Sequence, residues 1–376
     1  MIYYHTYLPM TKTSIIRFFY QKVLKKIFFR IDPEVVHDHM VLVGKFLGNY
    51  TPTQHITRWL FNYTDKKLQQ TILGITFSNP VGLSAGFDKN AELTDILPDV
   101  GFGFVEVGSI TGEPCSGNAK PRLWRLPKTK GLVVYYGLKN DGCEKIATRL
   151  TNKKFRFPIG ISIAKTNCQA TADTTAGIAD YVKAYTQLKN SGDYITINIS
   201  CPNAFGGQPF TDKDRLEKLL TAIDSAPAQK PLFLKISPDL TDQELDDVLA
   251  VAQEHNIAGF VCTNLTKNRD AITILDANLP DKGGISGKVL NEISNKFITK
   301  IYTQTHGQKI IIGVGGIFSA TDAYEKIKRG ASLVQLITGM IFEGPQLIGE
   351  INRGLVTLLE KDGYTNIAQA IGANHK

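Results

Sequence analysis

A short motif in the middle of the chain contains the side chains best suited to chemistry. Asn198-Ile-Ser-Cys-Pro-Asn203 provides two amides, which can donate hydrogen bonds to a planar heterocycle and accept them from it. It also provides a thiol, Cys201, which can take a proton when it is present as the thiolate. An isolated cysteine is more often a buried structural residue, so the role of Cys201 depends on its polar neighbours. The motif indicates a base beside a bound flat ring.

Two glycine-containing segments near the C-terminus predict a phosphate site. Residues 310–317 form an apolar run that ends in glycines, and residues 333–339 repeat the arrangement with a threonine and a glycine. Glycines let backbone N–H groups approach an anion closely. Either segment alone is equally compatible with an ordinary tight turn, but their order along the chain favours a phosphate site. The residues concerned are Gly315, Gly316, Thr338 and Gly339.

Further polar groups follow other predicted strands. Residues 82–89 are a small-residue stretch against which a flat ring can lie, and the stretch ends in Lys89, which could hold an anionic ring or a carboxylate. A loop lysine is usually just solvated, so its assignment rests on the neighbouring glycines. Lys235, Thr263, Asn264 and the glycine-rich residues 283–287 complete a polar floor for a phosphate-bearing cofactor.

The strands and helices that must position these residues are predicted from residue 79 onward. Short β-rich runs alternate there with amphipathic stretches, as in βα units with a parallel sheet. The eight candidate strands are residues 81–84, 104–108, 159–163, 194–200, 232–236, 259–263, 310–314 and 333–337. A doubly wound open sheet is the alternative, but the polar residues follow many different strands, which favours the mouth of a (β/α)8 TIM barrel.

Composition narrows the class of protein. Hydrophobic residues make up 43% of the 376-residue chain and charged residues 21%, which is ordinary for a globular protein with a large core. Five dispersed cysteines without a CxxC pair favour a reducing, intracellular compartment and no metal site. The net charge of +8 is scattered without clustered aromatics, which argues against nucleic acid as a partner. We expect neither a membrane-spanning helix nor secretion.

The N-terminal part of the chain differs from the rest. Two helical stretches precede any strand, and the first, residues 14–29, is predicted to place Ile16, Phe19, Val23 and Ile27 on one face, with its lysines largely opposite. Asp32 is predicted to cap the second helix. Basic, highly apolar helices can lie in a bilayer interface, although a helical hairpin packed on the barrel is the commoner structure.

The ordered motifs GLSAGFDKN, FGFVEVGSIT, KPRLWRL, NISCPN, LKISPDL, CTN, GGISG, GVGGI and LITGMIFEGP resemble the dihydroorotate dehydrogenase family over about residues 32–351. The resemblance implies a (β/α)8 barrel that binds FMN and oxidises dihydroorotate to orotate in pyrimidine biosynthesis. It implies FMN phosphate on Gly315, Gly316, Thr338 and Gly339, and other cofactor contacts from Ala85, Gly86, Ser109, Lys235, Thr263 and Gly287.

The resemblance also implies a mechanism. Cys201 would remove a proton from the substrate carbon next to the carbonyl, while the adjacent carbon gives hydride to the flavin. The implied substrate-binding residues are Lys89, Asn198, Asn203 and Asn264.

The N-terminal helices are similar to the extension of the quinone-using members of the family. This similarity implies a helical module over residues 1–70, which associates with the membrane and forms a quinone tunnel, and a catalytic barrel over residues 71–376. It implies a quinone as electron acceptor and peripheral contact with the cytoplasmic face of a membrane, and it reverses the preference for simple helical packing.

Several positions depart from the family pattern. Cysteine at the base position is typical of the soluble branch, whereas the quinone branch usually has serine. Val134 stands where a substrate-binding asparagine is usual, Leu265 where a threonine is usual, and Ser162 where an FMN-contacting asparagine is usual. The usual Tyr-Ser pair near the phosphate reads Ile337-Thr338. Each lost buried hydrogen bond to substrate costs on the order of 1–3 kcal/mol.

These departures leave two alternatives open. A related FMN oxidoreductase acting on another acidic or planar unsaturated substrate would explain Val134 and Leu265. A membrane-docked flavin-binding protein without turnover is a third hypothesis, and the presence of both Cys201 and Lys89 argues against it.

Overall fold

A closed barrel of eight parallel strands forms the centre of the protein in the computed structural model, which describes residues 12–226 and 230–375. The first eleven residues of the predicted N-terminal module lie outside the described residues. In chain order the strands are β1 (Gln70–Ile72), β2 (Ile75–Phe77), β3 (Val81–Leu83), β4 (Phe104–Ile110), β5 (Leu123–Leu126), β6 (Gly131–Val134), β7 (Ile159–Ile163), β8 (Tyr194–Asn198), β9 (Leu232–Ile236), β10 (Gly259–Cys262), β11 (Gly284–Gly287), β12 (Ile310–Val314) and β13 (Leu333–Leu336).

Helices surround this barrel and precede it. They are α1 (Lys12–Phe19), α2 (Lys25–Phe28), α3 (Pro33–Asn49), α4 (Thr51–Phe61), α5 (Leu97–Val100), α6 (Cys143–Leu150), α7 (Thr174–Leu188), α8 (Lys213–Asp224), α9 (Asp242–Glu254), α10 (Asn291–Gln304), α11 (Ala320–Lys328), α12 (Thr338–Glu343) and α13 (Leu347–Lys361). A π-helical turn, Tyr20–Leu24, joins α1 to α2.

The barrel confirms the predicted fold class and excludes the open sheet. Its strands follow the order β3-β4-β7-β8-β9-β10-β12-β13, and β13 pairs with β3 to close the ring. All eight predicted strands begin at the predicted residue. Branched residues lie on both faces of strands such as β12, in which Ile310 and Ile312 share one face and Ile311 lies on the other, because parallel strands with helices outside and packed side chains inside are buried on both sides. Thr241 and Glu244 form a capping box at the start of α9.

The amino-terminal end of the barrel is closed. Strands β1 and β2 form a hairpin whose turn residues, Leu73 and Gly74, both have positive φ. The hairpin carries Phe77 against Phe104, with ring centroids 5.4 Å apart in an edge-on arrangement. Ligands must therefore approach the barrel from its opposite, carboxyl-terminal end.

A small antiparallel sheet lies outside the barrel. Strand β6 pairs on one side with β5 and on the other with β11, so that Val134 stands opposite Gly284 and Gly131 opposite Gly287. The sequence predicted β11 only as a glycine-rich loop. The sheet joins segments that are far apart in sequence beside the open end of the barrel.

Buried charge pairs attach the N-terminal helices to the barrel. Asp32 caps α3 as predicted, since its carboxylate accepts from the N–H groups of Glu34 and Val35 at 2.9 and 3.1 Å. The Glu34 carboxylate then accepts two hydrogen bonds from the Arg122 guanidinium, at 2.8 and 3.0 Å. Both side chains are almost fully buried, so this fork holds α3 against the strand that follows Arg122.

The first helical stretch contacts the barrel through polar side chains. Its polar side faces the protein: the Tyr20 hydroxyl donates to the carbonyl of Ile341 at 2.7 Å, and Gln21 donates to that of Phe342 at 2.9 Å. Lys25, predicted opposite the apolar face, lies over the Phe342 ring at 5.2 Å. The side chain of Phe19, predicted on the apolar face, is 52% exposed. Backbone carbonyls of the barrel attract the polar side, and the apolar side is left in solvent.

No helix within residues 12–226 or 230–375 has both the length and the apolar character needed to cross a bilayer.

Candidate active site

All of the predicted site residues line one pocket at the carboxyl-terminal end of the barrel. Around its wall are Ala85, Gly86, Lys89, Ser109, Asn198, Cys201, Asn203, Lys235, Thr263, Asn264, Gly287, Gly315, Gly316, Thr338 and Gly339. They come from loops after many different strands, and only a closed barrel brings those loops together.

The glycine pair after β12 is shaped for close approach by a ligand. Gly315 and Gly316 have φ of +123° and +72°, and a Cβ on Gly316 would lie 2.5 Å from the Cα of Asn291. Side chains are thus excluded by both the backbone conformation and the space available. The Asn291 amide donates to the carbonyl of Gly316 at 3.0 Å and fixes the loop.

The second half of the predicted phosphate site begins the next helix. Thr338 and Gly339 are the first two residues of α12, and a Cβ on Gly339 would collide with the carbonyl of Ile317 in the first loop. The Thr338 hydroxyl lies 2.9 Å from that of Ser286 in β11. The two loops therefore touch, and their backbone N–H groups and hydroxyls form one cradle that suits a phosphate.

A buried lysine occupies the floor of the pocket. Lys235, at the end region of β9, is 4% exposed and donates to the Ser84 hydroxyl at 3.3 Å. Burial lowers the pKa of Lys235, and the buried carboxylate of Glu106 inside the barrel acts in the opposite direction. A buried ammonium facing a pocket needs an electron-rich partner, which the carbonyl and nitrogen edge of a heterocycle can supply.

Hydroxyl and amide groups continue the floor. The Asn198 amide donates to the Ser109 hydroxyl at 2.9 Å, and Ser109 in turn lies 2.8 Å from the hydroxyl of Ser162. Ser162 stands where an asparagine is expected. Its hydroxyl is therefore hydrogen-bonded to that of Ser109, a residue predicted to contact the flavin ring. The Asn264 amide donates to the carbonyl of Ser200 at 2.8 Å, so the amides of the two loops are held together.

The other asparagine keeps a free acceptor. Asn203 donates to the backbone carbonyl of Val134 at 2.7 Å, while its own Oδ1 is buried and has no partner among the described residues. The contact uses the backbone of Val134, so the change of side chain at that position does not break it. An unpaired buried acceptor is suited to an N–H group of a bound ligand.

Lys89 also lines the pocket, and the residues around its ammonium were not predicted from the sequence. Its ammonium is 4.2 Å from the centroid of the Tyr136 ring and 3.3 Å from Nε2 of His37. Burial lowers the pKa of Lys89 to about 7, and the nearby ammonium of Lys139 lowers it as well. Burial also lowers the pKa of His37 to about 4, so this imidazole is neutral beside the lysine. An anionic ligand would stabilise the charged lysine.

His37 and Tyr136 were missed as site residues because no local motif marks them. His37 is on α3, outside the barrel, and reaches the pocket because its ring also bonds to the carbonyl of Phe87 at 2.9 Å. Tyr136 follows β6, in a segment whose sequence was notable only because it departs from the family pattern. Both positions are set by tertiary packing between the N-terminal helices and the barrel.

Cys201 is half-buried in the loop after β8 and faces the pocket. Burial raises the pKa of its thiol, while the backbone N–H of Asn203 and the Lys165 ammonium lower it. The thiol is thus in position for proton transfer, but a thiolate there must be stabilised by its surroundings.

The upper wall of the pocket is apolar. Leu123, Leu132, Phe318 and Ile341 line it together with Val134, Leu265 and Ile337, three of the positions that depart from the family pattern. This wall leads from the polar floor toward the N-terminal helices.

Known proteins share both the sequence and the fold. The sequence profile of the family described as dihydroorotate dehydrogenase matches residues 67–359. A dihydroorotate dehydrogenase (quinone) from Natronomonas pharaonis is 40% identical over 355 residues, covering 94% of this chain and 99% of the relative. The enzyme of the same name from Sulfurovum sp. is 39% identical, with 96% and 99% covered.

Solved structures agree with the sequence comparison. The crystal structure of Eimeria tenella DHODH in complex with ferulenol superposes with a TM-score of 0.81 at 33% identity, covering 92% of this chain and 96% of that one. Its ligand-free form gives a TM-score of 0.79 at 32% identity, covering 92% of this chain and all of the other. The chain belongs to the dihydroorotate dehydrogenase family.

Proposed function

We propose that this protein oxidises dihydroorotate to orotate with bound FMN and passes the electrons to a quinone. The observation that carries the proposal is the single pocket at the barrel mouth, in which a phosphate cradle, a buried lysine and a thiol lie around one floor. Relatives named for the quinone-using enzyme match this chain over nearly their whole length.

The residues present fit FMN. Gly315, Gly316, Thr338 and Gly339 line one end of the pocket, in two loops packed too closely for a side chain at Gly316 or Gly339, and this cradle would hold the phosphate. The flavin ring would lie against Ala85, Gly86, Ser109, Thr263 and Gly287, with Lys235 directed at its electron-rich edge. When bound, FMN supplies a hydride acceptor, a chemistry that no amino-acid side chain provides.

The substrate would lie between the ring and the Cys201 loop. The unpaired Oδ1 of Asn203 would accept from a substrate N–H, and Asn198 and Asn264 would bond to the remaining amide edges. Lys89 would hold the carboxylate. Cys201 would take the proton from the carbon next to the carbonyl, and its Sγ would hold that proton until solvent removes it.

The N-terminal helices would serve the quinone. We assign residues 1–70 to a module that contacts a membrane peripherally at its cytoplasmic face, and residues 71–376 to the catalytic barrel. The outward apolar side of α1–α4 and the apolar upper wall of the pocket support this division, because together they offer a quinone an apolar route from lipid to the ring. Nucleic acid has no part in this proposal.

A second candidate is oxidation of another acidic or planar unsaturated substrate by the same cofactor. The apolar side chains of Val134 and Leu265 in the pocket favour it, since an asparagine and a threonine are usual there. Each missing hydrogen bond would weaken dihydroorotate binding by on the order of 1–3 kcal/mol.

Anaerobic mixing of the purified flavoprotein with dihydroorotate, followed by flavin absorbance, tests the proposal. Rapid bleaching, and reoxidation by a short-chain quinone, are the expected results. An oxidised flavin that ignores dihydroorotate but is bleached by another acidic unsaturated compound would favour the second candidate. A protein that takes up no FMN would refute both.

A further inference from the structure

A second, smaller cavity adjoins the main pocket at Cys201. It is lined by Lys165, Tyr181, Cys201, Leu138 and Phe210, among others. Its volume of about 10 Å³ is roughly the space that one water molecule needs. Cys201 is therefore shared between two cavities, of which the main pocket accounts for substrate and cofactor.

Lys165 is the charged residue of this small cavity. It follows β7 by two residues and is only 3% exposed. Its ammonium donates to the carbonyl of Phe205, in the Cys201 loop, at 2.7 Å, and this is its one hydrogen bond among the described residues. An ammonium carries three donors, so two of them remain for the cavity.

A buried ammonium without a carboxylate is costly unless an anion is near it. The carboxylate of Asp180 acts electrostatically on Lys165. It already accepts hydrogen bonds from the Thr166 N–H at 2.6 Å, the Thr166 hydroxyl at 2.7 Å and the Gly112 N–H at 3.2 Å. The remaining candidates are the thiols of Cys168, which is exposed, and Cys201.

The groups that face Cys201 are cationic or neutral. Lys165 and Lys267 both favour its thiolate, and Lys267 is exposed to solvent. Lys235 faces Cys201 from the main floor but also interacts with Glu106. The Tyr181 hydroxyl donates to the carbonyl of Asn198 at 2.7 Å and is neutral, since burial raises its pKa far above the usual range.

We infer that Lys165 is a positioning residue for the proposed dehydrogenation. From the small cavity, its buried ammonium stabilises the thiolate of Cys201. Through its hydrogen bond to the carbonyl of Phe205, it also holds the loop that carries the thiol. This inference rests on the proposed function for its catalytic meaning. Lys165 gives the thiolate of Cys201 a cationic neighbour, since an adjacent cation favours the charged form and partly offsets the effect of burial.

The test measures Cys201 acidity directly in the FMN-bound protein without substrate. Iodoacetamide labelling of the Cys201 peptide is followed by mass spectrometry between pH 6.5 and 10, because only the thiolate reacts. Lys165→Met removes the charge, Lys165→Gln does so with a polar side chain, and Lys165→Arg keeps it. Lys183→Met is the matched control, since it removes a cation that pairs with Glu113 and Glu144 instead.

Labelling and flavin reduction at pH 7 should fall about tenfold or more in Lys165→Met and Lys165→Gln, because one pKa unit changes the thiolate fraction tenfold. The curves should meet the unsubstituted protein's curve at high pH, and Lys165→Arg and Lys183→Met should follow it throughout.

Two results would overturn the inference. An unchanged labelling profile in both neutral variants would remove Lys165 from the thiolate's surroundings. A rate reduced by one factor at every pH, with Lys165→Arg equally slow, would leave only a structural role for the loop contact. Failure of dihydroorotate to bleach the flavin would instead refute the proposed function, and the labelling profiles would still decide the role of Lys165.

Discussion

At the scale of single residues, the site contains two groups, Cys201 and Lys89, whose charged forms are disfavoured by burial. A half-buried Cys201 and a lysine, Lys89, inside a cavity are both shifted toward their neutral forms. In the proposed mechanism each must be charged, the thiol to accept a proton and the lysine to hold a carboxylate. The pH dependence of the reaction therefore reports on both.

Replacing Cys201 by alanine should leave FMN bound and slow flavin reduction by dihydroorotate roughly 10²- to 10⁴-fold, the usual contribution of a general base. Cys201→Ser, which keeps a proton-accepting group, should lose less. Stopped-flow absorbance measures the rates, and the visible spectrum of each variant checks its flavin content. Equal rates in the alanine variant would mean that another group is the base.

The same rate should rise with pH. The acting form of Cys201 is the thiolate and burial raises the pKa of the thiol, so the rate should increase about tenfold per pH unit through neutral pH and level off only above the ordinary thiol range, about 8.5. A plateau already reached at pH 6 would contradict this assignment.

Lys89→Met should weaken binding of orotate to the oxidised protein roughly 10- to 100-fold, because a charged hydrogen bond is lost. In the unsubstituted protein, binding should weaken as pH rises above about 7, where the free lysine loses its proton, and the bound carboxylate should delay that loss. Titration of the flavin spectrum with orotate measures both effects. Lys45→Met is a matched control, since Lys45 forms an exposed pair with Glu92 and should leave binding unchanged.

At the scale of elements, the barrel strands were predictable and their surroundings less so. Runs such as Ile310–Val314 can be recognised from local composition, because a strand that packs on both faces is apolar on both. Strand β11, Gly284–Gly287, has no such signal: it exists because β6 pairs with it, and that pairing joins residues about 150 positions apart. Sequence patterns report local burial, and pairing across such distances leaves no local trace.

The same limit applies to the site. Residues at strand ends, such as Asn198 and Lys235, were predicted because barrel topology places strand ends at one mouth. His37 reaches that mouth from α3, and the sequence did not decide which face of α1 and α2 lies against the barrel. Periodicity locates an apolar face but does not say whether protein or another apolar medium covers it.

Of the contacts between elements, the ion pair between Glu34 and Arg122 is the easiest to test. Glu34→Gln leaves a buried guanidinium without its carboxylate and should lower the free energy of unfolding by about 3–5 kcal/mol. Glu360→Gln, which removes the exposed partner of Lys67, should change it far less, because solvent screens that pair. Urea denaturation of both variants gives the comparison, and equal effects would refute a structural role for the buried pair.

The pair should also depend on pH. Burial alone would raise the pKa of Glu34, but the hydrogen bonds and charge of Arg122, with help from Lys120 and Lys139, lower it to about 2. A carboxyl whose folded pKa lies below its unfolded value of about 4.3 stabilises fully above that value and loses its contribution as pH falls toward 2. The stability difference between the unsubstituted protein and Glu34→Gln should shrink over this range.

At the scale of the whole molecule, exposed apolar side chains are concentrated at one end. Of the seventeen large hydrophobic residues exposed within the described residues, fourteen lie between Ile15 and Trp59. A soluble surface rarely carries so large an apolar patch without a partner. Lys22 and Lys26 are also exposed there and add positive charge, which suits anionic lipid.

Replacing Phe18, Phe46 and Trp59 together by serine should therefore release the protein from anionic vesicles in a sedimentation assay. Burial of each aromatic contributes on the order of 1.5–3 kcal/mol, so the combined loss of affinity should exceed 100-fold. Leu275→Ser is the matched control, because Leu275 is 61% exposed in the loop before β11. With dihydroorotate and a water-soluble acceptor the triple variant should turn over normally, and with a lipid-dissolved quinone it should be slow. Sedimentation equal to that of the unsubstituted protein would show that these helices are covered by something other than lipid.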